Sequence, residues 1–184
     1  MKRCKWTAAI TDEEYLRYHD EEWSEPLTDD RDLFELLSLE GAQAGLSWQT
    51  ILKKRTNYRK CFINFDLEKV GKLRKKDIAK ILDQGGVVKH SGKIKSVISN
   101  AIAFKKVINE FGSLHEYFQF YLNDVDVFDP LVTQTPISPA STMISKDMKK
   151  RGFNFVGPTV IQAFLQASGL YKAHDSGCFK HIVR

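Results

Sequence analysis

Helix-start signals recur along this sequence so regularly, and alternating apolar–polar runs are so scarce, that an all-α fold is expected. Thr11-x-x-Glu14 reads as a capping box that opens a helix through about Trp23, which Pro26 breaks. Asp29 or Asp30 can cap the next helix, where Leu33, Phe34, Leu36, Leu37 and Leu39 form an apolar surface suited to a core. Gly41 and Gly45 mark its loosened end, and Ser47 caps a third helix from Trp48 to about Phe62. Shorter helices at about 66–73 and 75–83 precede a Gly85-Gly86 turn. A longer one follows from about Gly92 to Phe111, and Ser113-x-x-Glu116 opens another through about Asn123. The stretch 124–142 holds three of the five prolines and reads as a surface loop. Helices at about Met143–Arg151 and Pro158–Ser168 close the chain, with Pro158 in a first turn and Gly169 at a C-terminal stop.

The 184 residues suit one domain over 1–184 with a core of its own. No apolar run approaches the roughly 18 residues that cross a bilayer, so no membrane partner is expected. Met1-Lys2-Arg3-Cys4-Lys5 starts basic, but no apolar region follows it to make a secretion signal. Three widely spaced cysteines fit a reducing, cytoplasmic setting, where they serve as core residues or metal ligands. Charge is unevenly spread. Between Thr11 and Glu40 twelve acidic residues stand against two basic ones, so with a net charge of +5 the remainder carries +15. Basic clusters lie at Lys53-Lys54-Arg55 with Arg59 and Lys60, at Lys72 to Lys76, and at Lys146 with Lys149-Lys150-Arg151. Such regions attract a polyanion, and they equally fit solvated helix faces.

Three constellations carry chemistry. In Lys149-Lys150-Arg151-Gly152-Phe153-Asn154-Phe155-Val156-Gly157-Pro158 a very short glycine-containing turn joins two helices, the second starting at Gly157-Pro158. That is the layout of a helix-hairpin-helix, spanning about 143–168. Its glycines admit a close phosphate, and the free N–H groups of a helix N-terminus bind it. An ordinary αα-hairpin has the same outline. Cys4, His19 and His174-x-x-x-Cys178 come from the two ends of the chain, 1–19 and 174–178. Two thiolates and two imidazoles fill a tetrahedral zinc shell of the structural kind, while free thiols with incidental histidines are the plainer alternative. Finally, Tyr15, Tyr18 and His19 share one helix face, and Glu40 directly precedes Gly41 after an apolar helix. A partly buried Glu40 needs a partner, which a cationic ligand could supply, with nearby rings adding cation–π attraction. A core of aromatic residues with a capping glutamate would look alike.

Taken together, Arg3-Cys4-x-Trp6, Tyr15-x-x-Tyr18-His19-Asp20-x-Glu22-Trp23, Leu39 to Trp48, Tyr58-Arg59, Gly92-Lys93-Ile94 and Lys149 through Gly157 closely resemble the 3-methyladenine DNA glycosylase I family. The ordered match runs from Arg3 to Cys178. The resemblance implies a helix-hairpin-helix glycosylase fold and one structural zinc ion held by Cys4, His19, His174 and Cys178. It implies that Glu40 binds the lesion base and is the catalytic candidate, that Trp48 stacks on the base, that Tyr18 contacts it, and that Tyr15 and Trp6 help build the pocket. Gly45-Leu46 matches the segment that fills the gap left by an extruded nucleotide, and Lys149, Lys150, Arg151, Gly152, Phe153 and Gly157 match the DNA grip. The implied partner is double-stranded alkylated DNA, the product free 3-methyladenine, and the working form a monomer. Two departures stand out: Ser24-Glu25 follow Trp23 where glycine is usual, and Asn154 sits where a basic residue is often found.

Two other classes compete with excision. A non-catalytic, damage-binding helix-hairpin-helix module would keep the basic hairpin without needing Glu40 and Trp48 in a pocket. A small-molecule hydrolase using catalytic zinc would need an open ligand position, which four protein ligands deny.

Overall fold

The computed structural model describes residues 2–182. Met1, which begins the basic start, and Val183 and Arg184, which end the expected 1–184 span, lie outside the described residues. Ten α-helices occur among them, with no strand, and the all-α expectation holds. They are α1 (Glu13–Glu21), α2 (Asp30–Gln43), α3 (Trp48–Cys61), α4 (Leu67–Val70), α5 (Lys75–Gln84), α6 (Ser91–Phe111), α7 (Leu114–Leu122), α8 (Pro130–Thr133), α9 (Pro139–Lys150) and α10 (Pro158–Ala167). Short 3-10 turns cover Lys5–Thr7 and Ile63–Phe65. No described helix is long and apolar enough to cross a membrane.

The architecture follows from α2. Every residue from Leu33 to Ala42 is buried, and α3, α6, α7 and α10 all pack on this one helix. Each fully buried Leu or Phe here contributes about 1.5–3 kcal/mol, enough for the core to impose helix ends that local signals leave open. A helix walled on all sides also traps whatever polar residues it carries. Glu35 is answered by Arg59, whose Nε lies 2.8 and 2.9 Å from its two carboxylate oxygens. Glu40 receives no such partner among the described residues.

Caps at Asp29, Ser47 and Ser113 lie where expected, each side chain accepting from a backbone N–H in the first turn. Elsewhere the structure corrects the reading. The first helix is capped by Asp12, not Thr11: Asp12 accepts from the Tyr15 amide and also from Gln49 Nε2 at 2.7 Å, which ties α1 to α3. Gly41 does not loosen α2, which continues to Gln43. Its missing side chain serves packing, since a Cβ there would meet Phe155 Cβ and O at 3.2 Å. The helix expected over 66–73 shrinks to α4. The expected loop at 124–142 contains α8, and α9 starts at Pro139, four residues earlier than read. Proline is compatible with a first turn, whose N–H groups lack intrahelical partners anyway.

Candidate functional site

A cavity of about 290 Å³ opens where α1, α2, α3 and α10 converge, lined by Trp6, Tyr15, Tyr18, Glu40, Gln43 and Trp48 among others. The expected pocket residues reach it from four elements: Trp6 from the first 3-10 turn, Tyr15 and Tyr18 one turn apart on α1, Glu40 near the end of α2, and Trp48 at the start of α3. The Tyr18 and Trp48 rings lie 5.5 Å apart and both are buried, while Trp6, 37% exposed, stands at the rim 5.5 Å from Tyr15. Glu40 is 5% exposed. Loss of hydration alone pushes its carboxyl up to about 8. Burial, reinforced by the nearby Glu40 charge, likewise lifts the Tyr18 and Tyr15 phenols. An acidic group held neutral near pH 7 in a cavity lined by electron-rich rings gains its charge most readily when a cation enters beside it.

Beyond Glu40, the backbone of Gln43-Ala44-Gly45-Leu46 forms a type II turn. Ala44 has φ −41° and ψ 114°, Gly45 has φ +78°, and the Leu46 amide donates to Gln43 O at 2.6 Å. Glycine suits that left-handed third position, and the turn presents Leu46, 41% exposed, beside the cavity's Gln43.

The α9–α10 pair packs as a hairpin whose turn is fixed by local bonds. Gly152, at φ +94°, ends α9 with its amide donating to Lys149 O at 3.1 Å, and Phe153 N donates to Met148 O at 3.0 Å. Asn100 of α6 grips the same turn, its amide side chain pairing with both Asn154 N and Asn154 O. Gly157 caps α10 without a side chain, and open space surrounds the position of its absent Cβ. Lys149 and Lys150 are exposed. Two of the residues assigned to this grip face elsewhere. Phe153 is buried, edge-on to Phe104 at 4.7 Å, so it anchors the turn in the core. Arg151 spends its charge on Asp147 (2.5 Å) and Glu110 (2.6 Å) and lies over the Phe111 ring. Neither is free to meet a phosphate in this arrangement.

At the termini, ligand atoms of Cys4, His19, His174 and Cys178 lie within 4.8 Å of one another, all four residues buried. Cys4 Sγ is 3.3 Å from His174 Nδ1, and Cys178 Sγ is 3.6 Å from His19 Nε2. The outward ring nitrogens are oriented: His19 Nδ1 faces Asp20 at 2.8 Å, and His174 Nε2 faces the Trp23 carbonyl at 3.1 Å. Arg3 in turn holds Asp20 through two bonds, which draw that carboxyl down to about 2. Burial pushes the Cys4 thiol up to about 12 and His174 down to about 4. This donor set can hold a metal ion.

Residues 6–181 match the model of the methyladenine glycosylase family. The chain belongs to that family. One family relative, DNA-3-methyladenine glycosylase 1 of Escherichia coli K12, is 42% identical over 185 residues, covering 97% of this chain and 96% of that protein. A crystal structure of 3-methyladenine DNA glycosylase I superposes with a TM-score of 0.91 at 40% identity, over 98% of this chain and 100% of the other. The Staphylococcus aureus enzyme, solved to explain 3-methyladenine recognition, gives 0.90 at 34%, over 100% and 98% of the two chains.

Within this methyladenine glycosylase chain, sequence reasoning missed Trp23, Gln43, Ala163 and Gln166 as cavity residues. Gln43 sits three residues after Glu40, a spacing that places both on one side of α2 and could have exposed it. Nothing local marks Gln166, whose Nε2 donates to Thr133 O of α8 at 2.6 Å. Ser24, the departure after Trp23, adopts φ +64°, the left-handed conformation in which glycine is at ease. Its hydroxyl donates to Tyr171 O and accepts from Ala173 N, bonds glycine could not make.

Proposed function

We propose that this chain is a DNA-3-methyladenine glycosylase, a hydrolase of base-excision repair acting on double-stranded alkylated DNA. The observation that carries the reading is the Glu40 carboxyl, buried with no hydrogen-bond or ion-pair partner among the described residues, in the cavity that Tyr18 and Trp48 also line. Methylation at N3 gives adenine a fixed positive charge. Such a base rewards Glu40 for ionising, and unmodified adenine does not. Trp48 stacks on the extruded base, Tyr18 contacts it, and Tyr15 and Trp6 complete the wall.

Extrusion costs a few kcal/mol of stacking, offset in part by Leu46, which enters the vacated space from the Gly45 turn. Lys149, Lys150 and the free N–H groups at Gly157 and the start of α10 hold the backbone as a helix-hairpin-helix, without reading sequence. The glycosidic bond then breaks with its electron pair going to the base, which leaves neutral as free 3-methyladenine. Water adds to the sugar cation at C1′ and gives up a proton, so a charged lesion needs little acid catalysis. Glu40 is the catalytic residue in the sense that it touches the departing base.

Cys4, His19, His174 and Cys178 fit one zinc ion. The two sulfurs and two imidazoles would supply all four ligands of such an ion, and the contacts to Asp20 and Trp23 O fix the ring orientations. With four protein ligands, zinc would tie the two termini together rather than activate water. All residues invoked lie on one chain, which suits a monomer, and its free cysteines suit the cytoplasm, where chromosomal DNA is found. Incubation with methylated duplex DNA should release 3-methyladenine, identified by chromatography. Binding of that DNA without base release would favour the damage-binding module instead.

A further inference from the structure

The glycosylase reading leaves the buried Lys93 unused, and unlike Glu35 it has no partner of opposite charge among the described residues. It lies in the first turn of α6 and is 8% exposed. Its ammonium instead donates to two carbonyls: Ala42 O at 2.9 Å and Ala44 O at 2.7 Å. Burial lowers its affinity for a proton, so the contact is made at a cost in hydration. The same chain ends α9 and α10 without any buried charge, through Gly152 and Gly169 at positive φ. Closing α2 alone does not call for a lysine.

What the lysine adds is control of one peptide plane. In a β-turn the central peptide joins the second and third residues, and type I and type II turns differ by its reversal. In Gln43–Leu46 that peptide is Ala44–Gly45, and its carbonyl is the one Lys93 holds at 2.7 Å. Through Ala42 O the same ammonium is fixed to the helix carrying Glu40. The start of α6 is itself packed on the hairpin: the His90 and Phe155 rings are 5.9 Å apart, and a Cβ on Gly92 would lie 3.6 Å from Phe155 Cζ. We propose that Lys93 is a positioning residue that locks the type II turn, so that Leu46 is aimed at the stack while the hairpin holds the backbone. The inference rests on the glycosylase reading and on Leu46 as the filling side chain.

The test is a mutant cycle with Lys93→Met and Leu46→Ala, read by single-turnover excision of 3-methyladenine from duplex DNA and from a single strand. Misplacing an aligned group by about 1 Å can cost about 100-fold, so Lys93→Met should slow duplex excision by about 10- to 100-fold. The loss should shrink to within about 3-fold on the single strand, where less stacking must be replaced. In the Leu46→Ala background it should nearly vanish, and free 3-methyladenine should bind as before, read by tryptophan fluorescence. Lys93→Arg should recover part of the duplex rate, and it carries the same cycle should Lys93→Met fail to fold. Equal losses on both substrates, or full additivity with Leu46→Ala, would overturn the proposal. No base release by the unaltered protein from either substrate would instead refute the glycosylase reading on which it stands.

Discussion

Placing Glu40 in the interior couples its proton to both stability and excision. Its carboxyl is raised from an ordinary 4.5 to about 8 by burial. At 1.36 kcal/mol per unit, the shift amounts to about 5 kcal/mol. Below pH 4.5 the group is protonated whether the chain is folded or not, and no penalty exists. As pH climbs from 4.5 to 8 the unfolded chain gives up the proton and the folded one retains it, so stability falls. Beyond 8 the full penalty is present and the slope ends. Glu40→Gln cannot ionise, so its stability advantage over the parent should grow toward about 5 kcal/mol between pH 4.5 and 8.5, measured by urea unfolding at each pH. On the proposed mechanism the permanently charged lesion calls for the ionised carboxylate, so at pH 7 binding it costs on the order of 1 kcal/mol. Accordingly kcat/KM should rise nearly tenfold per unit below pH 8 and level off above it. Glu40→Gln should be slower and lack that rise. A flat profile for the parent, or the same rise in Glu40→Gln, would refute the role assigned to this carboxyl.

Replacing Lys149 and Lys150 together by Ala should weaken DNA binding evenly across sequences and lower its salt slope by about 2, as titrations at several salt concentrations would register. Arg151→Ala should leave that slope unchanged while costing about 1–2 kcal/mol of stability, because its partners are Asp147, Glu110 and the Phe111 ring. Gly169→Ala should be severe, at about 3 kcal/mol or more in thermal or chemical unfolding. Besides its φ of +70°, a Cβ there would lie 2.5 Å from the Glu25 carbonyl carbon, which is backbone and cannot swing aside. Metal analysis should find about one zinc per chain. Cys178→Ser should lose it with a lowered melting temperature, and protein that retains no metal when purified without chelator would contradict the assignment.

What the sequence disclosed, and what it withheld, divides by the distance over which each residue acts. Asp29, Ser47 and Ser113 bond to amides two or three residues ahead, so their roles are written in a few consecutive letters. Glu40 was legible for a related reason: a carboxylate at the end of so apolar a stretch cannot easily reach water, and its burial follows from the helix that carries it. The Cys4, His19, His174 and Cys178 cluster was readable mainly as residue types, since positions 4 and 178 have no spacing to compare and meet through the fold alone.

Arg151 and Phe153 show the opposite case. Their immediate neighbours, basic residues and glycines, describe a phosphate grip, yet Glu110 and Phe104, more than forty residues away, take one for an ion pair and the other for the core. Lys93 went unassigned for the same reason, its two acceptors lying 51 and 49 residues earlier. A motif therefore locates a functional surface, but only long-range partners settle which side chains remain free to use it. In this hairpin the groups without such partners include the exposed Lys149 and Lys150 and the bare backbone at Gly157, which are the ones the proposed DNA grip calls on.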